Sequence, residues 1–149
     1  MPISECCSVE VVCCEPDTPV QEVAELMRKE HVGDVVVVEM RDGKRVPTGI
    51  VTDRDIILEI VALRLDISAF TAGDIMNSPL ISMHEDEGVF ETLRTMRNHR
   101  IRRVPVVKED GTLSGIVSSD DIINLLTNEL SMMADTLVDQ PAREAYMRR

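Results

Sequence analysis

Aromatic residues are nearly absent from this sequence of 149 residues, which has two phenylalanines, one tyrosine and no tryptophan. Single-stranded nucleic acids bind largely by stacking on aromatic side chains, and duplexes require clusters of lysine and arginine that neutralise phosphates. Here 27 acidic residues outnumber 16 lysines and arginines, which gives a net charge of -11. The composition therefore argues against a nucleic-acid partner.

Long apolar runs are also missing. No stretch approaches the roughly 20 consecutive apolar residues of a membrane-spanning helix, so we expect no membrane partner. The chain begins Met-Pro-Ile-Ser-Glu, without the basic region and apolar core of a secretory signal. We therefore expect a cytoplasmic protein, and an apolar content of 44% at this length is typical of one globular domain.

The sequence lacks the usual spacings of metal and redox sites. Its four cysteines form two adjacent pairs, Cys6-Cys7 and Cys13-Cys14, without the two-residue gap of zinc or thioredoxin-like motifs. Adjacent residues of a strand point to opposite faces, so such a pair cannot easily share one ion. No nucleophile-base pair and no pair of catalytic acids is present. We predict no resident metal, no cofactor and no enzymatic activity.

What the sequence does contain is an internal repeat. Gly-Ile-Val-Thr-Asp-Arg-Asp-Ile-Ile at residues 49–57 returns as Gly-Ile-Val-Ser-Ser-Asp-Asp-Ile-Ile at residues 115–123, an offset of 66. Upstream, the apolar runs at residues 34–38 and 103–107 correspond at an offset of 69. The first connection is therefore three residues longer, and we expect the extra residues in a turn, where insertions are tolerated. A repeat of this kind defines the architecture.

Each copy predicts a β-α-β-β-α unit. The leading strands are expected at residues 9–14 and 80–83, and amphipathic helices follow at residues 20–30 and 89–99. A unit of roughly 60 residues is marginal alone. We therefore predict an α/β (α+β) fold in which two pseudo-symmetric halves pack as one module. The predicted divisions are residues 9–66, residues 74–128, and a tail or trailing helix at residues 129–149.

The repeated signature Gly-x-x-[Thr/Ser]-x-x-Asp lies at a predicted strand-to-helix junction and has two interpretations. Thr52 and Ser118 suit an N-cap, and Asp55 and Asp121 three residues later resemble a capping box. Alternatively, a hydroxyl and free amides at a helix N-terminus can bind an anion, and a carboxylate one turn further can accept hydrogen bonds from ribose. The residues alone leave both interpretations open.

The paired unit resembles the cystathionine-beta-synthase (CBS) domain family, in which two repeats form a Bateman module. The resemblance covers residues 9–128 and is greatest to bacterial stand-alone pairs. It depends on the signature, on Leu26-Met27 and Thr95-Met96 near the helix ends, on Val104-Pro105-Val106, and on Asp74-Ile75-Met76. The first copy departs from the pattern because Val36 takes the place of the proline.

This resemblance implies a non-catalytic sensor that binds AMP, ADP, ATP or S-adenosylmethionine in the cleft between the repeats. It further implies a homodimer. We also expect an unknown protein partner, and Mg²⁺ would enter with the phosphates of ATP. Asp55 and Asp121 would hold ribose, and Thr52 and Ser118 would meet phosphate. The adenine would be framed by residues of the leading strands and of the segments before the second strands: Val12, Cys13, Ile81, Ser82, Val32, Gly33, Asp34, Ile101, Arg102 and Arg103.

The two copies differ before the second strand, where the second has Arg100, Arg102 and Arg103 and the first has Asp34. Arginine can bind phosphate bidentately, whereas aspartate repels it, so we expect the copies to contribute unequally. The alternative for these arginines is a solvated edge. The alternative for the whole chain is a structural or interaction protein whose signature residues only cap helices and whose ligand sites are empty.

Overall fold

The structure, a computed structural model, describes the backbone of residues 1–147 and the side chains of residues 1–138. Each half folds as strand, helix, two strands and helix, which confirms the predicted mixed α/β architecture. In the first half the elements are β1 (Cys13–Cys14), α1 (Val20–Glu30), β2 (Asp34–Arg41), β3 (Lys44–Thr52) and α2 (Asp53–Ile56), which continues as a π-helical turn over Ile57–Val61. The short helix α3 (Ala72–Ile75) leads to β4 (Met83–His84), α4 (Val89–His99), β5 (Arg103–Val107), β6 (Leu113–Ser118) and α5 (Ser119–Met147).

The two sheets have the same topology. In each, the short first strand runs parallel to the middle strand, which pairs antiparallel with the third: β1-β2-β3 and β4-β5-β6. Val36 lies opposite Ile50, and Pro105 lies opposite Ile116 at the equivalent register. A register shift also follows one residue later in both sheets. The repeat seen in the sequence is therefore a repeat of strand pairing.

The three extra residues of the first copy lengthen its hairpin strands rather than its turn. β2 and β3 are joined by Asp42 and Gly43, whose φ angles are 51° and 75°. Two successive residues with positive φ make the tight turn that matches the twist of a hairpin. The expectation that the insertion lies in the turn is therefore wrong, because a tight turn lets the added residues pair across the sheet.

The leading strands are shorter than predicted because the residues before them cross to the other half. Ser8 pairs with Ile116 of β6, and Asn77 pairs with Ile50 of β3. Ile3 is fully buried in the core of the second half, beside Met83 and Met96 among others. Each half is therefore completed by the segment that precedes the other half.

Among the side chains that the structure describes, three apolar clusters build the core. One lies under each sheet, where α1 buries Val20 and Val23 and α4 buries Val89 and Met96. The third joins the sheets and contains Val36, Val38 and Leu113, with Val11, Cys13 and Ile116 packed against them. This shared cluster brings the two halves together as one module.

The adjacent cysteines of β1 point to opposite faces, as predicted from strand alternation. Cys14 lies in the core of the first half, whereas Cys13 packs against the cluster between the sheets. Burial raises the pKa of the Cys14 thiol to about 11. Among the residues whose side chains are described, no group of three or more histidine, cysteine, aspartate and glutamate side chains could hold a metal ion.

The trailing residues continue the last helix of the second half. The backbone of α5 is helical from Ser119 to Met147, so the segment predicted as a tail or helix at residues 129–149 is helical through residue 147. Leu130, Met133 and Leu137 are all exposed on it. No helix within the described part of the chain is both long enough and apolar enough to cross a membrane.

Candidate functional site

Both copies of the signature form complete capping boxes. The Thr52 hydroxyl accepts a hydrogen bond from the Asp55 amide at 3.1 Å, and the Asp55 carboxylate accepts one from the Thr52 amide at 2.9 Å. The Ser118 and Asp121 pair repeats these bonds at the same distances. Each hydroxyl acts here as an acceptor, so its own proton can still be donated to a ligand.

The amides at the start of α2 are not free, contrary to the anion-site interpretation of the signature. The Asp53 amide donates to the Gly33 carbonyl at 2.9 Å, and the Arg54 amide donates to the Asp53 carboxylate at 2.8 Å. The Asp55 amide is taken by the Thr52 hydroxyl. The first three amides are therefore all bonded within the chain, and a phosphate at this site would depend on side chains.

In the part of the chain that the structure describes, two cavities between the halves each combine the signature of one half with the approach segment of the other. We call residues 31–34 and 100–103, which lead into β2 and β5, the approach segments. The smaller cavity, about 260 Å³, places Ser118 and Asp121 against Val12 and residues 31–34. The larger cavity, about 630 Å³, places Thr52 against Ile81 and residues 100–103.

Most of the predicted site residues line these cavities. Val12, Val32, Gly33, Asp34, Ser118 and Asp121 line the smaller one. Thr52, Ile81, Arg100, Ile101, Arg102 and Arg103 line the larger one, which Gly33 and Asp34 also reach. Three predicted residues, Cys13, Asp55 and Ser82, line neither cavity.

Asp55 is covered by a residue that the sequence did not single out. Asn77 lines the larger cavity and donates its side-chain amide to the Asp55 carboxylate at 2.9 Å. The equivalent residue in the other copy is Ser8, whose hydroxyl bonds instead to the Glu10 carbonyl. Asp121 consequently faces its cavity, while Asp55 is engaged within the protein.

Other cavity residues were also missed. Asp53 and Arg54 lie inside the signature and line the larger cavity, and Glu10 lines the smaller one. Asp53 and Arg54 could have been predicted as cavity residues, because they lie between Thr52 and Asp55 in the sequence. No sequence signal indicated Glu10, because its position beside the smaller cavity depends on how the N-terminal segment crosses to the second half.

The proline that distinguishes the second copy changes the wall of the larger cavity. In the first half the Val36 amide donates to the Val12 carbonyl at 3.0 Å. Pro105 occupies the equivalent position and has no amide hydrogen, so it cannot make that bond to Ile81. Both Pro105 and Ile81 line the larger cavity.

The two approach segments are joined by an ion pair between equivalent positions. Arg103 Nε lies 3.2 Å from the Asp34 carboxylate, whose side chain is only 8% exposed against 45% for Arg103. Burial raises the pKa of Asp34 above its ordinary value, Arg103 opposes that rise, and Asp53 adds to it. Arg103 is therefore held by an ion pair although its side chain is half exposed, whereas Arg102 makes an exposed contact of 3.7 Å with Asp120.

The family model of the CBS domain matches residues 3–62 and 72–128. The two matches cover most of the chain and coincide with the two halves of the fold. The protein therefore belongs to the CBS domain family.

Several known proteins are similar to it. An uncharacterised protein of Methanopyrus kandleri is 34% identical over 123 residues, 83% of this chain but 61% of that relative, so the chain spans about three fifths of its length. A CBS domain protein of Pyrobaculum aerophilum complexed with AMP is 34% identical, with a TM-score of 0.73 over 81% of this chain and 89% of that one. The CBS domain pair of another protein, in complex with 5′-methylthioadenosine and S-adenosylmethionine, is 26% identical, with a TM-score of 0.73 over 85% and 99%.

Proposed function

We propose that this protein is a non-catalytic regulatory module that binds an adenosine nucleotide between its two halves and thereby changes how it docks to a protein partner. The observation that carries the proposal is that each cavity pairs the signature of one half with the approach segment of the other. A ligand in either cavity would contact both halves. It would shift their arrangement only by binding one arrangement more tightly than another.

The similar proteins support an adenosine ligand. One was solved with AMP, and another with 5′-methylthioadenosine and S-adenosylmethionine. These three compounds share adenosine and differ at its 5′ position. We therefore propose AMP, ADP, ATP or S-adenosylmethionine as ligands of this protein, with Mg²⁺ accompanying ATP.

The larger cavity offers groups for the separate parts of a nucleotide. Its volume of about 630 Å³ lies within the roughly 300–1,000 Å³ of typical ligand pockets. Ile50 and Leu80 offer apolar surface to adenine, and the Ile81 carbonyl, to which Pro105 cannot donate, is a candidate acceptor for the adenine amino group. The Thr52 hydroxyl and the arginines of the approach segment would donate to phosphate.

The carboxylates keep their proposed role in binding ribose. Asp121 faces the smaller cavity and can accept hydrogen bonds from vicinal hydroxyls without rearrangement. Asp55 would have to exchange the bond from Asn77 for one from ribose. The two signatures therefore differ in the free-energy cost of binding the ribose of a ligand.

Thermal unfolding with added ligand tests this function. A ligand at about 100 times its Kd stabilises the folded state by about 2.7 kcal/mol, which raises the Tm of a domain of this size by several degrees. We expect at least one of AMP, ADP, ATP and S-adenosylmethionine to do so. Asp121→Asn, which keeps an oxygen to accept the Ser118 amide, separates ligand contact from capping.

The capping boxes favour a second candidate, a structural or interaction protein with empty cavities. Under this alternative the signature residues act only on stability, and Thr52→Ala or Ser118→Ala lowers the free energy of unfolding by about 0.5–2 kcal/mol. No adenosine compound would then change the Tm. The absence of a shift with all four ligands would favour this candidate over the sensor.

We also propose that the module forms a homodimer through its second helices. Ile57 in the π-helical turn and Ile123 in α5 occupy equivalent positions and are each 55% exposed, with Leu58 and Val61 exposed nearby. Apolar side chains gathered on one surface mark interaction sites. Sedimentation should give a dimer for the wild-type chain and a monomer for Ile57→Glu/Ile123→Glu. A wild-type monomer at micromolar concentration would contradict the proposal.

A further inference from the structure

We propose that the two cavities bind different classes of adenosine ligand. The larger cavity takes a phosphorylated nucleotide, and the smaller cavity takes an adenosine compound without phosphate, uncharged or cationic at its 5′ position. This inference depends on the proposed function, because it assigns ligand classes to the same two cavities.

The charges that line the cavities have opposite sign. The larger cavity has four arginines against two aspartates, an excess of two positive charges. Among the described residues, the smaller cavity has three carboxylates, from Glu10, Asp34 and Asp121, against the guanidinium of Arg103, an excess of two negative charges from these four side chains. Low-dielectric walls strengthen such fields, so phosphate is favoured in one cavity and repelled in the other.

Asp34 and Arg103 line both cavities, and the nearly buried Asp34 carboxylate is held by Arg103 at 3.2 Å. Their opposite charges contribute equally to the two cavities, so the difference comes from the charged residues that line one cavity and not the other. Arg103 is half exposed, and its Nη groups can donate hydrogen bonds to a phosphate in the larger cavity. In the smaller cavity a phosphate would meet Asp34 together with the exposed Glu10 and the half-buried Asp121.

The cavity volumes also favour different ligands in the two cavities. The smaller cavity has less than half the volume of the larger, about 260 Å³ against 630 Å³. The smaller volume suits a nucleoside with a short 5′ group better than a nucleotide. A sulfonium or amine at that position would find carboxylates as counter-ions.

Titration calorimetry with AMP and 5′-methylthioadenosine tests this inference, because these probes share adenosine and differ only in the 5′ group. We expect each probe to bind one site per chain. When one probe is saturating, the other should still bind, with the same or an altered affinity, and neither should displace the other. Arg54→Gln, in the larger cavity, should weaken AMP about tenfold and leave 5′-methylthioadenosine unchanged. Glu10→Gln, in the smaller cavity, should improve or permit binding of AMP there.

Control variants separate local charge from net charge. Lys29→Gln on α1 and Glu129→Gln on α5 make the same changes in net charge at exposed positions that line neither cavity. They should leave both affinities within about twofold. Competition between AMP and 5′-methylthioadenosine for one site, or equal AMP binding at two sites, would overturn the inference while leaving the proposed function intact. If neither probe nor any of the other adenosine ligands binds, the proposed function fails and the inference fails with it.

Discussion

Pro105 has no amide hydrogen, and that one missing atom distinguishes the two halves at the wall of a cavity. The equivalent Val36 amide donates to the Val12 carbonyl at 3.0 Å, which holds the first strand of that half against β2. In the second half the corresponding carbonyl belongs to Ile81, beside the larger cavity. A single residue therefore removes, in the second half, the backbone hydrogen bond that the first half makes at the equivalent position.

The variant Pro105→Val tests this role of the proline. Valine restores a backbone amide at the position equivalent to Val36. We expect this amide to donate a hydrogen bond to the Ile81 carbonyl, so the variant should bind nucleotide in the larger cavity severalfold more weakly. Calorimetry with AMP measures the change. The matched variant Val36→Pro should leave AMP binding in the larger cavity unaltered. Equal losses in both variants would contradict the account.

The glycines of the two signatures both lie close against the crossing segments. A Cβ on Gly115 would lie 2.6 Å from the Ser8 carbonyl oxygen and 2.8 Å from the Cys7 sulfur. A Cβ on Gly49 would overlap the Met76 side chain, which can rotate away. The two equivalent positions therefore differ in the atoms that would have to move.

Gly115→Ala should destabilise the protein more than Gly49→Ala. We expect a loss of about 1–3 kcal/mol in the free energy of unfolding for Gly115→Ala, because backbone must shift, and a smaller loss for Gly49→Ala. Urea unfolding measures both. A larger loss for Gly49→Ala would contradict this expectation, because the Met76 side chain would then resist displacement more than the backbone at Ser8.

At the scale of elements, the helices were predicted well and the strands less so. Residues 20–30 and 89–99 were predicted as helices and match α1 and α4, because apolar side chains at helical spacing face a core within the same half. The leading strands, predicted at residues 9–14 and 80–83, shrink to two residues each. Their length depends on where the chain crosses to the other half, which no local pattern encodes.

In the candidate site, too, some features could be predicted from the sequence and others could not. The capping geometry of Thr52 and Ser118 follows from residues three apart and could be predicted. The bond from Asn77 to Asp55 and the ion pair of Asp34 with Arg103 join residues 22 and 69 positions apart. Such contacts depend on packing of the two halves, so the sequence supplied the residue types but not the pairing.

Strand alternation also predicts the chemistry of the β1 cysteines. Burial raises the pKa of Cys14 to about 11, so only about one thiol in a thousand is ionised at pH 8. We expect iodoacetamide at that pH to leave Cys14 unmodified in the folded protein and to modify it after unfolding, located by fragmentation mass spectrometry. Rapid modification of Cys14 in the native protein would contradict its placement in the core.

The same thiol makes stability depend on pH. Its pKa rises from the ordinary 9.0 in the unfolded chain to about 11 in the folded protein. Its contribution is therefore complete below pH 9 and is lost as the pH rises toward 11, because the unfolded chain loses the proton first. Cys14→Ser should reduce this loss.

At the scale of the molecule, ion pairs between described side chains link the halves at two places. Asp34 and Arg103 pair beside the cavities, and Lys44 and Asp110 pair at 2.8 Å between the hairpin turns. Lys44 and Asp110 are exposed, and such pairs contribute about 0–1 kcal/mol. Asp34 is nearly buried, so loss of its partner should matter more.

Arg103→Gln should destabilise the module in a manner that depends on pH. Without Arg103 to oppose the effect of burial, the pKa of Asp34 rises further above its ordinary 3.8. A carboxyl with a raised pKa favours folding below its unfolded pKa and loses that contribution as the pH rises, so the deficit relative to wild type should grow from pH 4 to pH 7. The double variant Asp34→Asn/Arg103→Gln should remove this dependence, and a deficit that is constant with pH would contradict the ion pair.

We propose that the two halves of this protein enclose an adenosine ligand. Calorimetric titration of the wild-type chain with AMP tests that claim most directly. Saturable binding that Arg54→Gln weakens and Lys29→Gln does not is the predicted result. The absence of saturable heat with AMP, and then with ADP, ATP and S-adenosylmethionine, would contradict it.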